Sequence, residues 1–138
     1  MQKNDLEKKY NLLSKVLIRL PALIVTGISW YISSRQTFPT PGFDNSDKVI
    51  HFICFGGLAF CWTFWFSSSR WIQKTMVCSA CVFLITGLYG MTDEIHQSFV
   101  PGRDCSFFDW LADSAGTICA IAFRIFLIRK ISEKKKEA

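Results

Sequence analysis

Residues 92–116 read TDEIHQSFVPGRDCSFFDWLADSAG, a polar stretch set between two runs apolar enough to be membrane spans. It holds Asp93, Glu94, His96, Arg103, Asp104, Asp109 and Asp113. Outward from it lie blocks 71–91 and 107–128, preceded by 47–66 and 16–32. At about 1.5 Å rise per residue, roughly 20 residues cross a hydrocarbon layer of about 30 Å, and every block is near that length. Hydrophobic residues make up 50% of the chain and gather in these blocks, which is the pattern of spans and not of a soluble core. The expectation is an all-α fold, an integral membrane four-helix bundle forming one domain over 1–138, with a basic tail at 129–138.

The basic residues set the orientation. Lys3, Lys8, Lys9 and Lys15 precede the first block, Arg70 and Lys74 lie between the second and third, and Arg129, Lys130, Lys134, Lys135 and Lys136 follow the fourth. Connections one and three carry only Arg35 and Arg103. By the positive-inside rule both termini are expected in the cytoplasm, with connections one and three outside. The first block has no cleavage motif after it and reads as a span, shortened by Arg19 and Pro21; Arg19 and Arg124 are expected to snorkel. The net charge of +5 then divides into a basic inner face and an acidic outer one, which gives no reason to expect nucleic acid as a partner.

At the start of the second block, DKVIHF puts Asp47 and His51 four residues apart on one helix face. Asp47 suits a helix N-terminus, whereas a histidine one turn inside lipid needs a partner or a wet cavity. The preceding connection, FPTPGFDNS, is rich in turn formers (Pro39, Pro41, Gly42), and Asn45 or Ser46 is expected to cap the span. The short connection at SSSR is expected to pair spans two and three as a hairpin. Asp93 and Glu94 fall at a helix C-terminus, where the dipole disfavours acids, and Asp93 is spaced to meet His96 or Gln97. Pro101 and Gly102 predict a type II turn. Arg103 after it offers a fork for phosphate or carboxylate, or a salt bridge to a nearby acid. Ser106 and Asp109 match a capping box, while Asp113 lies one turn deeper on a face continued by Gly116 and Ala120. Cys78 and Cys81 form a CxxC in an apolar run and read as packing residues, and Cys105 is the one cysteine in a connection.

Topology joins what the sequence separates: three span ends bring Asp47, Lys48 and His51 together with Asp93, Glu94, His96 and Gln97, and with Arg103, Asp109 and Asp113. The segments DKVIHF (47–52) and DEIHQSFVPGRDCSFFDWLADSAG (93–116) also resemble the VanZ-like family of small bacterial membrane proteins, one member of which is associated with teicoplanin resistance. The resemblance covers about residues 20–128, with one departure: the family often has asparagine at the position of Asp113. It implies a multi-pass protein of the bacterial cytoplasmic membrane that serves the cell envelope.

The residues are expected to form an enzyme site at the outer face, acting by hydrolysis or group transfer on a phospholipid or a polyprenyl-phosphate-linked envelope precursor. His51, Asp93, Glu94, His96 and Asp113 are the catalytic candidates. Asp47, Lys48, Gln97, Arg103 and Asp109 are the substrate-binding candidates, with Lys48 and Arg103 taking phosphate. No cofactor is fixed by spacing, although Asp93, Glu94, His96 and His51 could hold a divalent metal. The other reading is a non-catalytic envelope protein that binds a cell-wall precursor or a glycopeptide antibiotic and alters susceptibility.

Overall fold

The computed structural model describes residues 3–36 and 45–137, and all regular structure in them is helical. In chain order the helices are α1 (Lys3–Ser33), α2 (Ser46–Thr63), α3 (Ser68–Gln73), α4 (Thr75–Gln97) and α5 (Phe107–Glu137). Three segments are long and apolar enough to cross a membrane: Asp5–Ser33, Thr75–Gln97 and Phe107–Lys135. Their outward faces carry large exposed side chains such as Leu17, Leu84, Leu88, Phe123 and Phe126, a surface suited to lipid contact.

α2 stands apart. Asp47, Lys48 and His51 occupy its first two turns, and its 18 residues span about 27 Å. It packs against α1, α4 and α5, most extensively against α5, so it is the helix that the others surround. The two helices approach closest at Gly56 and Gly116. A Cβ on Gly116 would overlap the carbonyl oxygen of Phe52 and lie 3.0 Å from the Gly56 nitrogen. Only hydrogen is tolerated there, because backbone and not a movable side chain fills the space. The face of α5 expected to be buried is buried: Asp109, Asp113, Gly116 and Ala120 all point inward.

α5 is joined to α4 by Trp110 Nε1, which donates to the Gly87 carbonyl at 3.0 Å, and by Thr117 Oγ1, 3.1 Å from Thr86 Oγ1. At the opposite end of the bundle Ala59, Trp71, Cys78, Val82, Ala120, Ile121 and Ile128 form the apolar core. Trp71 Nε1 there donates to the Thr63 carbonyl at 3.0 Å. α1 is held by fewer ties: Tyr89 Oη donates to the Thr26 carbonyl at 3.1 Å, and Trp62 Nε1 to Thr26 Oγ1 at 3.2 Å.

Several sequence expectations change. Pro21 does not bound the first span but lies inside α1, which begins well before residue 16. Arg19 is mid-helix, donates to the Trp65 carbonyl at 3.3 Å and lies over the Trp65 ring. The block at 71–91 is broken at Lys74, whose φ of −137° ends α3; α4 then runs on to Gln97, so Asp93 and Glu94 lie in its last turns, the helix end at which they were expected. Spans two and three do not pack chiefly on each other, because α5 takes most of the α2 surface. Arg124 does not snorkel: it is buried and stacked 4.3 Å from the Phe64 ring centre. Asn45 sits at the N-cap of α2 in the left-handed region (φ 60°) without a side-chain cap bond, and Ser46 is already helical. Pro39, Pro41 and Gly42 lie outside the described residues. The turn at Pro101 and Gly102 forms as expected, with Gly102 at φ 81° and the Arg103 nitrogen 3.1 Å from the Val100 carbonyl.

Gly116→Ala is expected to lower stability in detergent by on the order of 1–3 kcal/mol through overpacking, whereas Gly57→Ala and Gly87→Ala, which face open space, change little. Thermal and denaturant unfolding of the three variants in one detergent checks the ranking.

Candidate functional site

The end of the bundle where α2 and α5 begin and α4 finishes holds a cavity of about 490 Å³. Its walls include Asp47, His51, Asp93, Gln97, Arg103 and Asp109, drawn from α2, α4, α5 and the 98–106 connection. Four acids around it are buried: Asp93, Glu94, Asp109 and Asp113 are each at most 7% exposed. Removing that many carboxylates from water is costly unless each meets a partner, so their partners define the site.

His51 Nδ1 lies 3.0 Å from Asp113 Oδ1, across the α2–α5 contact. An ionised carboxylate only accepts, so in a bond to one the ring donates from Nδ1, and a neutral imidazole then keeps its other nitrogen as an acceptor. Gly90 makes room for this pair: a Cβ there would come 3.0 Å from Asp113 Oδ2 and 3.1 Å from Phe55 Cε1. Glu94 Oε1 stands 3.8 Å from His51 Nδ1, and Glu94 Oε2 accepts from the Ser106 backbone nitrogen at 2.8 Å. The expected capping box is therefore half formed. Ser106 Oγ accepts from the Asp109 nitrogen at 3.4 Å, but Glu94, not Asp109, takes the reciprocal place. Asp109 Oδ1 instead pairs with Lys48 Nζ at 3.1 Å, and the same ammonium lies 3.0 Å from Asp47 Oδ2.

A second chain of contacts runs along the end of α4. Gln97 Nε2 donates to Asp93 Oδ2 at 2.9 Å, and Gln97 Oε1 accepts from Arg103 NH2 at 2.7 Å. Arg103 is thus held by a neutral amide, and no salt bridge to an acid forms among the described residues. Among the described residues, no carboxylate pairs with its charge at the cavity wall. Asp93 Oδ1 is buried with no hydrogen-bond partner among the described residues, as is Glu94 Oε1. One ligand atom each from His51, Glu94 and Asp109 lie within 4.8 Å of one another, a grouping that could hold a cation. It replaces the expected set, since Asp93 and His96 are not in it.

His96 turns away from this cluster. Its ring stacks on Trp30 of α1 with centroids 4.2 Å apart, and its Nε2 lies 3.0 Å from Ser34 Oγ. The convergence expected from three span ends otherwise forms, with His51, Glu94, Asp109 and Asp113 in mutual reach and Asp93, Gln97 and Arg103 beside them. The VanZ/LLP1 family model matches residues 2–128, which include every one of these positions. The chain belongs to the VanZ/LLP1 family. No curated protein and no solved structure matches it.

In this VanZ/LLP1 chain the two segments that carried the resemblance are the two halves of one cavity. Sequence reasoning missed a third contributor, the end of α1, whose Ser29 and Ser33 line the same space together with Gln36 just beyond the helix. A signal was available: Ser29 and Ser33 are four apart, so they share one polar helical face at the end of an apolar run. Ser106 was also read only as a cap, although its backbone nitrogen orients Glu94.

Gln97→Leu removes the amide that joins Asp93 to Arg103. It is expected to cost about 1–3 kcal/mol, because it strands a buried carboxylate oxygen. Exposed Gln73→Leu serves as the comparison, and denaturant titration of both variants in detergent measures the difference.

Proposed function

We propose that this VanZ/LLP1 protein is a membrane-embedded enzyme acting on the phosphate head group of a phospholipid or of a polyprenyl-phosphate-linked envelope precursor. The observation that carries this reading is the placing, on one cavity wall, of Arg103, which forms no ion pair among the described residues, with Asp93, whose buried Oδ1 has no hydrogen-bond partner among them. A site for phosphoryl chemistry needs both a charge to hold the anion and an acceptor for the proton of the attacking oxygen. Arg103, with a planar fork, and Lys48 hold the phosphate oxygens. Asp93 Oδ1 takes the proton as the water oxygen bonds to phosphorus. The bond from phosphorus to the leaving oxygen breaks, and that oxygen is protonated from water at the open mouth of the cavity. His51, fixed by Asp113, and Glu94 bear on the same attacking water.

α2 serves as a fourth span in this reading, with the two termini in the cytoplasm and the cavity at the outer face. The large exposed side chains Phe99, Phe107 and Phe108 beside the cavity suit the bilayer interface, where a lipid head group would be met. Exposed Cys105 gives the topological test. In a variant keeping only this cysteine, a membrane-impermeant thiol reagent is expected to label intact cells, and labelling only after lysis contradicts the orientation.

Turnover is tested with purified protein in lipid, extracted envelope lipids and mass spectrometry of the products. His51→Ala, Glu94→Gln and Asp93→Asn are each expected to lower product formation by roughly 10²–10⁴-fold with folding intact. Tight ligand binding without turnover under any metal condition overturns the enzyme reading, in favour of an envelope protein that binds a precursor or glycopeptide.

A further inference from the structure

We infer that His51, Glu94 and Asp109 hold a single divalent cation, Zn²⁺ or Mn²⁺, at the meeting point of α2, α4 and α5. The binding inference stands on geometry alone; its catalytic use rests on the reading just given. The three donors come from three different helices, and their ligand atoms lie within 4.8 Å of one another. Two ligands each about 2.1 Å from one ion stand at most about 4.2 Å apart, so side-chain adjustment of about half an ångström closes the set.

The surrounding bonds prepare these side chains for an ion. The Ser106 nitrogen occupies Glu94 Oε2, and this leaves Oε1 buried and without a partner among the described residues. Glu94 is only 3% exposed, so water does not readily replace the missing partner. Asp113 fixes the His51 ring, the role a carboxylate plays behind a metal-bound imidazole. Charge balance points the same way. Asp93, Glu94, Asp109 and Asp113 are buried together, yet among the described residues only Lys48 forms a lysine or arginine ion pair with any of them, and it shares its charge with Asp47. The position of that ammonium against Asp109 shows where positive charge is favoured. One imidazole with two carboxylates suits zinc or manganese better than magnesium, which keeps mostly oxygen and water ligands.

Such an ion would polarise a phosphate oxygen or lower the pKa of a water, and it separates the roles of the site residues. His51, Glu94 and Asp109 hold the cation; Asp93 takes the proton. The experiment uses the full chain in detergent, with Mn²⁺ followed by electron paramagnetic resonance and Zn²⁺ by calorimetry. One ion per chain is expected to bind. Binding is expected to be lost in His51→Ala, Glu94→Gln and Asp109→Asn, kept in Asp93→Asn and in the exposed-loop variant Asp104→Asn, and tightened in Lys48→Met, which removes the competing ammonium. Circular dichroism establishes that each variant is folded. Absence of binding to the intact protein, or binding that survives all three ligand substitutions, overturns the inference. Turnover that persists after complete chelation overturns the catalytic use of the ion while leaving the enzyme reading standing. Site-specific binding without turnover supports the cation site and removes the enzyme reading.

Discussion

The contact between α2 and α5 at Gly56 and Gly116 is the constraint on which the rest depends. With no side chain on either residue, one helix backbone lies directly against the other. That closeness puts His51 within 3.0 Å of Asp113 one turn toward the site end, and it brings Lys48 to Asp109 a turn further on. A wider crossing would leave each group facing its helix neighbours alone. α4 completes the arrangement because Trp110 and Thr117 of α5 bond to its Gly87 carbonyl and Thr86 side chain, which sets Glu94 and Asp93 against the same cavity.

The partners are unevenly distributed among the acids. Asp109 has Lys48, whereas Asp113, Glu94 and Asp93 each have one oxygen engaged and one without a partner among the described residues. A purely structural network is expected to satisfy its buried atoms, since half-satisfied polar groups cost stability without return. Asp93 lines the cavity together with Arg103, which forms no ion pair among the described residues. Under the proposed function, stability is given up where chemistry can use it.

Much of this was legible in the sequence, for stated reasons. Asp113, Gly116 and Ala120 share a helical period, so the buried face of α5 could be read directly. Pro101 and Gly102 fixed their turn through backbone preference alone. Gln97 met Asp93 because the two are four apart on a helix. The misses share a cause: choices between alternative partners are made in three dimensions. Ser106 selected Glu94 over Asp109, His96 selected Trp30 and Ser34 over the acids, and Arg103 selected an amide over a carboxylate. The break at Lys74 was hidden because apolar clustering marks where lipid is met and not where a helix ends.

The chain has two histidines, which makes the His51 pair accessible to one direct measurement. With ¹⁵N-labelled histidine in detergent and without added metal, the imidazole of His51 is expected to carry its proton on Nδ1, with a far-downfield, slowly exchanging resonance. In Asp113→Leu that resonance disappears while the His96 signals stay in place. A His51 spectrum identical in the two proteins would contradict the clasp between α2 and α5 and the site built upon it.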